Sequence, residues 1–123
     1  MKRTATIIQR NKHQLDAANK IAGRLASQAA VLLMGKPKTG YRPNLDIGDY
    51  VEVANVAKLK FSGKKISQKI YYRTSGYPGG ITATPLKKIF AEQPAKLFKM
   101  MVRRMLPKNK LRAARLKRLI FTK

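Results

Sequence analysis

The sequence lacks cysteine and tryptophan, and it has one histidine and five acidic residues. Without thiols there is no basis for a disulfide framework, a cysteine nucleophile or a thiolate zinc site, and His13 alone offers little for imidazole chemistry. The longest apolar run, residues 29–34, is far shorter than the roughly 20 residues of a membrane-spanning helix. The first residues lack the apolar stretch of roughly 7 to 15 residues found in secretory signals. We therefore expect no metal, no cofactor, no membrane partner and no export.

Positive charge dominates what is present. The 123 residues include 28 Lys and Arg, which gives a formal net charge of +23, and 44% of the residues are hydrophobic. This length and this apolar content predict one folded domain, assigned to residues 14–123, preceded by a basic arm at residues 1–13. Because such a surplus of charge repels itself in a compact state, we expect the protein to work while bound to a polyanion. Nucleic acid is the first candidate.

The first half of the chain predicts one long helix. Apolar residues recur at spacings of three and four over residues 20–34, which places them on one helical face. Gly35 tolerates the left-handed conformation that ends a helix, and Pro37 prevents its continuation. Asp16 or Asn19 is expected to cap the helix at its beginning.

Four short strands are predicted around this helix. Alternating β-branched residues indicate a strand at residues 50–54. A second strand is indicated at residues 64–72, where one parity holds apolar residues and the other holds bases and a tyrosine. Shorter strands are predicted at residues 14–16 and 119–121. Because residues 73–84 are rich in glycine, we expect a loop there.

The second half of the chain predicts further helices. Thr84-Pro85 has the pattern of an N-cap followed by proline at the first helical position, and Pro94 begins another helix in the same way. In that second helix we expect an apolar stripe made by Leu97, Met101 and Met105. The alternation of strands and helices favours an α/β fold with a mostly parallel sheet.

Nucleotide-binding motifs are not present. Met34-Gly35-Lys36 resembles the end of a phosphate-binding loop, but Ala30 stands where its first glycine belongs and Pro37 where its magnesium-binding hydroxyl belongs. The glycines of residues 76–80 lack the spacing of the dinucleotide-binding fingerprint. A small-molecule substrate is therefore not expected.

Three of the five acids, Asp46, Asp49 and Glu52, lie within seven residues. Carboxylates at this spacing can do acid–base work or hold Mg²⁺. Because no further acid, histidine or cysteine converges on them in sequence, we expect Asp46 to shape a turn and the other two to be solvated, pairing with nearby bases. His13 is expected to be a surface residue rather than a catalyst. No catalytic residue is predicted.

Basic and aromatic side chains are interleaved in two segments, residues 36–42 and residues 64–73. In the second of these, Lys69 and Tyr71 share the parity opposite to that of Ile70 and Tyr72, which places bases and an aromatic ring on one surface. Tyrosines among cations suit RNA with unstacked bases, since the bases pack on the rings and the phosphates meet the charges.

Short motifs in a fixed order identify a family. Taken together, they resemble those of the bacterial-type ribosomal protein thirteen of the large subunit, and they extend over nearly the whole chain. The matching stretches are Leu15-Asp16-Ala17, Ala22-Gly23-Arg24-Leu25-Ala26-Ser27, Met34-Gly35-Lys36, Gly48-Asp49-Tyr50-Val51, Ala54-Asn55, Ser62-Gly63-Lys64-Lys65, Lys69-Ile70-Tyr71-Tyr72, Ser75-Gly76-Tyr77-Pro78-Gly79-Gly80 and Met105-Leu106-Pro107-Lys108-Asn109.

This resemblance implies a three-layer α/β/α sandwich with a four-stranded, mostly parallel sheet, no enzymatic activity, and a role in the large ribosomal subunit. We expect a cytoplasmic ribosome, with an organellar one as the alternative. The implied partners are large-subunit ribosomal RNA and neighbouring ribosomal proteins. The resemblance also implies that the protein supports assembly of the subunit. Family members commonly have a glycine close to the position of Arg112, and this chain has none there. The residues expected to contact RNA are Lys36, Lys38, Tyr41, Arg42, Lys64, Lys65, Lys69, Tyr71, Arg73, Ser75, Gly79, Gly80, Arg103, Arg104 and Lys108.

Other classes of function compete with this one. The nine bases and no acids of residues 103–123 would also suit an anionic membrane or an acidic protein, but bases are spread over the whole chain, which favours nucleic acid. A free-standing architectural DNA binder and a nucleotide-dependent enzyme are the alternatives. The first predicts DNA affinity equal to RNA affinity, and the second predicts a saturable nucleotide site.

Overall fold

The computed structural model describes residues 9–122, so most of the predicted basic arm, residues 1–8, lies outside the described residues. The first strand begins two residues before the predicted start of the domain. The elements are, in chain order, β1 (Lys12–Asp16), α1 (Ala22–Met34), β2 (Tyr50–Ala54), a 3₁₀ turn (Val56–Lys58), α2 (Lys65–Gln68), β3 (Ile70–Thr74), β4 (Ile81–Pro85), α3 (Leu86–Glu92), α4 (Pro94–Met105), α5 (Leu111–Lys117) and β5 (Leu119–Thr122).

A three-stranded parallel sheet forms the base of the core. Its order is β1-β2-β5, with β2 in the centre. Side chains alternate between its faces, so Val51 and Val53 point into the core and are fully buried. On the same face, α1 and α4 pack against each other, and the ring of Phe98 in α4 meets that of Phe121 in β5 edge to face at 6.1 Å.

The predicted α/β fold with a mostly parallel sheet is confirmed, but its four strands and its two covering helical layers are not. Among residues 9–122, the parallel sheet has three strands, and its second face carries the half-exposed side chains of Tyr50 and Ile120. Parallel sheets are usually covered by helices on both faces. Here the amphipathic helices α1 and α4 are both used on one face.

The remaining two strands form a separate antiparallel hairpin. β3 pairs with β4, with Tyr72 opposite Ala83 and Thr74 opposite Ile81. The strand predicted at residues 64–72 instead starts at Ile70, after the single helical turn α2. The loop predicted at residues 73–84 is shorter than expected, because β3 extends to Thr74 and β4 begins at Ile81.

The glycines of residues 75–80 explain this difference. Gly76 and Gly79 have φ of 88° and 75°, values that favour glycine and let the chain reverse within a few residues. The N–H of Ser75 donates to the carbonyl of Gly80 at 2.8 Å, which closes the turn. A glycine-rich segment that we interpreted as a long loop is thus a tight connection between two strands.

Some of the predicted helix boundaries are confirmed and others are wrong. Gly35 is left-handed and ends α1, and Pro94 begins α4, as predicted. The predicted caps Asp16 and Asn19 are wrong, because α1 begins after Ile21 and the N–H of Ala22 instead donates to the carbonyl of Lys60.

Two further helix predictions need correction. The helix expected at Thr84-Pro85 begins one residue later, because both residues still belong to β4. In α4 the buried side chains are Leu97, Phe98 and Val102, whereas Met105 is 40% exposed, so the stripe lies one residue away from the predicted one. Where the family glycine is missing, the chain is helical, and Arg112 lies in the first turn of α5.

Candidate nucleic-acid interface

Two predicted RNA-contact segments meet at Tyr71. The Lys69 ammonium lies 5.4 Å from the centre of the tyrosine ring, and the Arg104 guanidinium lies 5.0 Å from it. Burial raises the pKa of the Tyr71 hydroxyl, and the charge of Arg104 acts in the opposite direction. Of these two cation–π contacts, the one from Arg104 joins the hairpin to α4, and the one from Lys69 lies within the segment that leads into β3. The structure therefore brings residues separated by more than thirty positions into one basic cluster.

Exposed cations continue from this cluster. Lys64 and Lys65 are exposed at the start of α2, and Arg73 is exposed on the same side of β3 as Tyr71. Near the end of α4, Arg103 and Lys108 are exposed as well. The sequence from residue 53 to residue 91 contains no Asp or Glu, so no carboxylate within it competes with a phosphate for these cations.

The loop after α1 is divided between surface and interior. Lys36 and Arg42 are exposed, whereas the Tyr41 side chain packs against the hydrophobic core. The Lys38 ammonium is 2.6–2.7 Å from three acceptors, which are a carboxylate oxygen of Asp49 and the carbonyls of Gln9 and Ile47. Its three N–H groups therefore have partners inside the protein.

The predicted contacts of the hairpin turn have structural roles of their own. A Cβ atom on Gly80 would come within 2.0 Å of the Ser75 hydroxyl, so a larger residue there would displace that hydroxyl. Gly79 has open space at the corresponding position, which leaves its backbone accessible. Ser75, Gly79 and Gly80 thus lie at the tip of the hairpin, beyond Arg73.

An ion cluster that the sequence does not predict joins residues from distant parts of the chain. Two guanidinium nitrogens of Arg118 donate to the Asp46 carboxylate, one of them at 2.7 Å, and a third contact joins Arg118 to the carbonyl of Leu33. Arg10 lies 3.8 Å from the same carboxylate, and the fully buried Arg115 lies 4.0 Å from it. The expectation that Asp46 only shapes a turn is incomplete, because it also anchors α5 and β5.

Two arginines of this cluster, Arg115 and Arg118, belong to the nine bases of residues 103–123. They are three residues apart, but Arg112 and Arg115 have the same spacing, so no local pattern separates the buried arginines from the other bases. Gly48 allows the cluster to form, since a Cβ atom there would lie 1.6 Å from the carbonyl oxygen of Leu33.

A second carboxylate is also internal. Asp49, expected to be solvated, is 6% exposed and contacts Lys38 at 2.7 Å, His13 at 2.8 Å and the N–H of Asn11 at 3.1 Å. Glu52 pairs with Lys12 at 2.7 Å, as expected of an acid near a base. His13 therefore helps to hold β1 beside the start of β2.

These carboxylates predict acid sensitivity. Burial acts to raise the pKa of Asp46 and of Asp49, but hydrogen bonds from Arg118 to the first and from Lys38 and His13 to the second outweigh it, so both pKa values lie below normal. A carboxyl whose folded pKa is lowered stabilises the fold above its unfolded pKa of about 3.9. That stability is lost as the pH falls through the folded pKa.

We therefore expect the urea midpoint to change little between about pH 7 and pH 5 and to fall steeply below about pH 4. Urea titrations monitored by circular dichroism from pH 7 to pH 2 measure this. The Asp49→Asn variant should be less stable at pH 7 and should lose less stability on acidification. An equal loss in both proteins would show that Asp49 does not contribute.

The described residues offer little to an enzyme. Among residues 9–122, no group of three or more His, Cys, Asp or Glu side chains is placed to hold a metal ion, and no helix is both long and apolar enough to cross a membrane. A cleft of about 480 Å³ opens at the carboxyl ends of the parallel strands and is lined by Asp16, Glu52, Asn55 and their neighbours. Ligands often bind α/β sheets at this edge. None of the residues that line this cleft is a cation.

Fold and surface together define a basic α/β protein that presents cations on its outside rather than enclosing a substrate. Residues 10–122 match the family described as Ribosomal protein L13. The chain is 48% identical over 106 residues to the large ribosomal subunit protein uL13 of Chloroflexus aurantiacus, covering 86% of this chain and 74% of that protein. The proteins of the same name from Thermotoga petrophila and Lactobacillus johnsonii are 45% identical over 112 residues and 49% identical over 104 residues.

These two alignments cover 91% and 85% of this chain, and 75% and 71% of the respective relatives. The chain belongs to the Ribosomal protein L13 family, which confirms the resemblance found in the sequence. This is a family of structural ribosomal components and not of enzymes. The nucleotide-dependent enzyme considered above is therefore set aside.

Proposed function

We propose that this protein is a structural constituent of the large ribosomal subunit in the cytoplasm, where it binds large-subunit ribosomal RNA and supports assembly of the subunit. The observation that carries the proposal is the basic cluster around Tyr71, where Lys69 and Arg104 both contact the ring. Lys69 and Tyr71 belong to residues 53–91, a stretch of 39 residues without an acid. Its relatives carry the name of a large-subunit protein. Neighbouring ribosomal proteins are its other proposed partners.

Phosphate binding is the proposed source of affinity. Lys and Arg that neutralise phosphates release the counterions condensed on RNA, which makes the association strongly favourable at low salt. A ribosomal role also explains the large net charge, because the self-repulsion of +23 is relieved when RNA surrounds the protein.

The proposed RNA surface has two parts. The main part comprises the basic cluster, the start of α2, the hairpin turn and the end of α4; the second comprises the exposed bases of the loop after α1. Of the predicted contacts, Lys38 and Tyr41 act in this proposal by holding that loop in place, since both side chains are engaged inside the protein. The basic arm at residues 1–13, ahead of a single domain, belongs to the same proposal.

Sedimentation of a cell lysate through sucrose gradients tests the proposal. We expect the protein to migrate with the large subunit at moderate salt and to be released only at high salt. Recovery in free or DNA-bound fractions would instead favour an architectural DNA binder. Equal affinity for DNA and for folded ribosomal RNA, measured with purified protein, would contradict the ribosomal function.

The salt dependence of RNA binding is a further prediction. If about eight phosphates are neutralised, the logarithm of the association constant should fall with the logarithm of salt concentration at a slope of roughly −6 to −7. Filter binding or fluorescence anisotropy between 50 and 300 mM salt, roughly the range in which such slopes are measured, gives this number. A slope near zero would exclude a phosphate-dominated mechanism.

A further inference from the structure

The β3–β4 hairpin has two chemically different faces. Directly opposite residues of an antiparallel pair lie on the same face, so the register assigns Tyr71, Arg73 and their partners Thr84 and Thr82 to one face. The other face, which we call the apolar hairpin face, consists of Ile70, Tyr72, Thr74, Ile81, Ala83 and Pro85. It carries no charged residue.

The apolar hairpin face is exposed. Tyr72 is 67% exposed and Ile81 is 65% exposed, and Tyr77 in the connecting turn is 80% exposed. Ala83 lies directly opposite Tyr72 and is too small to cover its ring. Three large side chains are therefore accessible on one short hairpin, whereas isolated exposed apolar residues are the norm on protein surfaces.

Charge identifies the class of partner. The apolar hairpin face lies within the acid-free residues 53–91. The reverse face of the same hairpin carries Arg73 and also Tyr71, whose ring contacts Lys69 and Arg104. A two-stranded hairpin is only about 10 Å wide, since its strands are about 4.8 Å apart. One polyanionic strand can therefore place its bases on one face and its phosphates near the cations at the other.

We propose that the apolar hairpin face, together with Tyr77, stacks unpaired bases of RNA, and that Tyr72 and Tyr77 are the two stacking residues. Tyr71 has a different role, because Lys69 and Arg104 lie beside its ring and it holds the hairpin to α4. Aromatic side chains among cations are the usual platform for single-stranded nucleic acid. This inference rests on the proposed function and adds the chemistry of the bound nucleotides.

The test compares two RNA probes of about 12 nucleotides, a length typical of single-stranded binding sites. One is an unstructured oligonucleotide and the other has the same backbone with abasic residues in the middle. Wild-type protein should bind the first more tightly. The Tyr72→Leu/Tyr77→Leu variant should bind the intact probe about 10- to 100-fold more weakly than wild type, and should no longer distinguish the two probes.

Two control variants make the result specific. Tyr72→Phe/Tyr77→Phe keeps the rings and should bind like wild type, whereas Tyr50→Leu removes a half-exposed ring from the parallel sheet and should have no effect. Wild-type affinity of the leucine double variant for the intact probe, or unchanged discrimination against the abasic probe, would overturn the stacking proposal while leaving RNA binding itself intact.

Two further outcomes separate the two proposals. If the leucine variant keeps its affinity for the oligonucleotide but no longer sediments with the large subunit, the apolar hairpin face docks a protein and the stacking proposal is wrong. If wild-type protein binds neither probe and does not sediment with the subunit, the proposed function itself fails.

Discussion

Replacing Asp46 by alanine is expected to lower the free energy of unfolding by about 3–5 kcal/mol, because it leaves buried guanidinium groups without their counter-charge. Arg115 is fully buried and Arg118 is 7% exposed, and both face this carboxylate. Two nitrogens of Arg115 have no hydrogen-bond partner among the described residues, so the negative charge of Asp46 is their main compensation. Urea titration at pH 7 and low salt measures the change.

Asp16→Ala is the matched control for this experiment. Asp16 also accepts two hydrogen bonds, from Ala18 and Asn55, and these hydrogen bonds lower the pKa of its carboxyl. Since Asp16 is exposed to solvent, we expect its replacement to cost no more than about 1 kcal/mol. Equal effects of the two substitutions would show that the arginine cluster contributes no more than a surface turn.

Replacing Lys64, Lys65 and Lys69 together by alanine is expected to weaken RNA binding by about a hundredfold at 0.1 M salt or thereabouts, because each lost phosphate contact removes about one unit of counterion release. The slope of log affinity against log salt should become shallower by about 2 to 3. The three side chains are exposed, so the fold should be retained. Anisotropy titrations at several salt concentrations give both numbers.

Three other exposed lysines provide a control with the same change in net charge. The Lys20→Ala/Lys58→Ala/Lys117→Ala variant removes bases from the start of α1, the 3₁₀ turn and α5, all outside the proposed surface. It should lose only the small, long-range part of the attraction. If both triple variants lose the same affinity, binding depends on overall charge and not on the face that carries Tyr71.

The sequence predicted those parts of the fold that depend on local signals. Gly35 and Pro94 mark helix boundaries through backbone geometry that few other residues tolerate, and both predictions are confirmed. The alternation of Lys69 and Tyr71 with Ile70 and Tyr72 is also found in the structure, with the bases and one ring on a common side.

What could not be predicted depends on long-range packing. A run of bases such as Arg115 and Arg118 has the same local pattern whether it is solvated or buried against a carboxylate 72 residues away. Lys38 is a similar case, because its surroundings are completed by Asp49 and by backbone carbonyls. The apolar hairpin face would be part of a core in most proteins, but here it is exposed. Its exposure depends on how the helices are arranged around the parallel sheet, which no local pattern indicates.

The position of β5 in the sheet has a consequence for synthesis. β2 is the central strand, yet the strand that covers one of its edges lies at residues 119–122, and Arg118 meets Asp46 only when that strand is in place. A chain emerging from the ribosome must therefore expose the edge of β2, and a carboxylate without its Arg115 and Arg118 partners, until residue 122 has been made. Because long-range parallel pairing also forms slowly, the unfinished chain is the form most exposed to aggregation and to premature capture by nucleic acid.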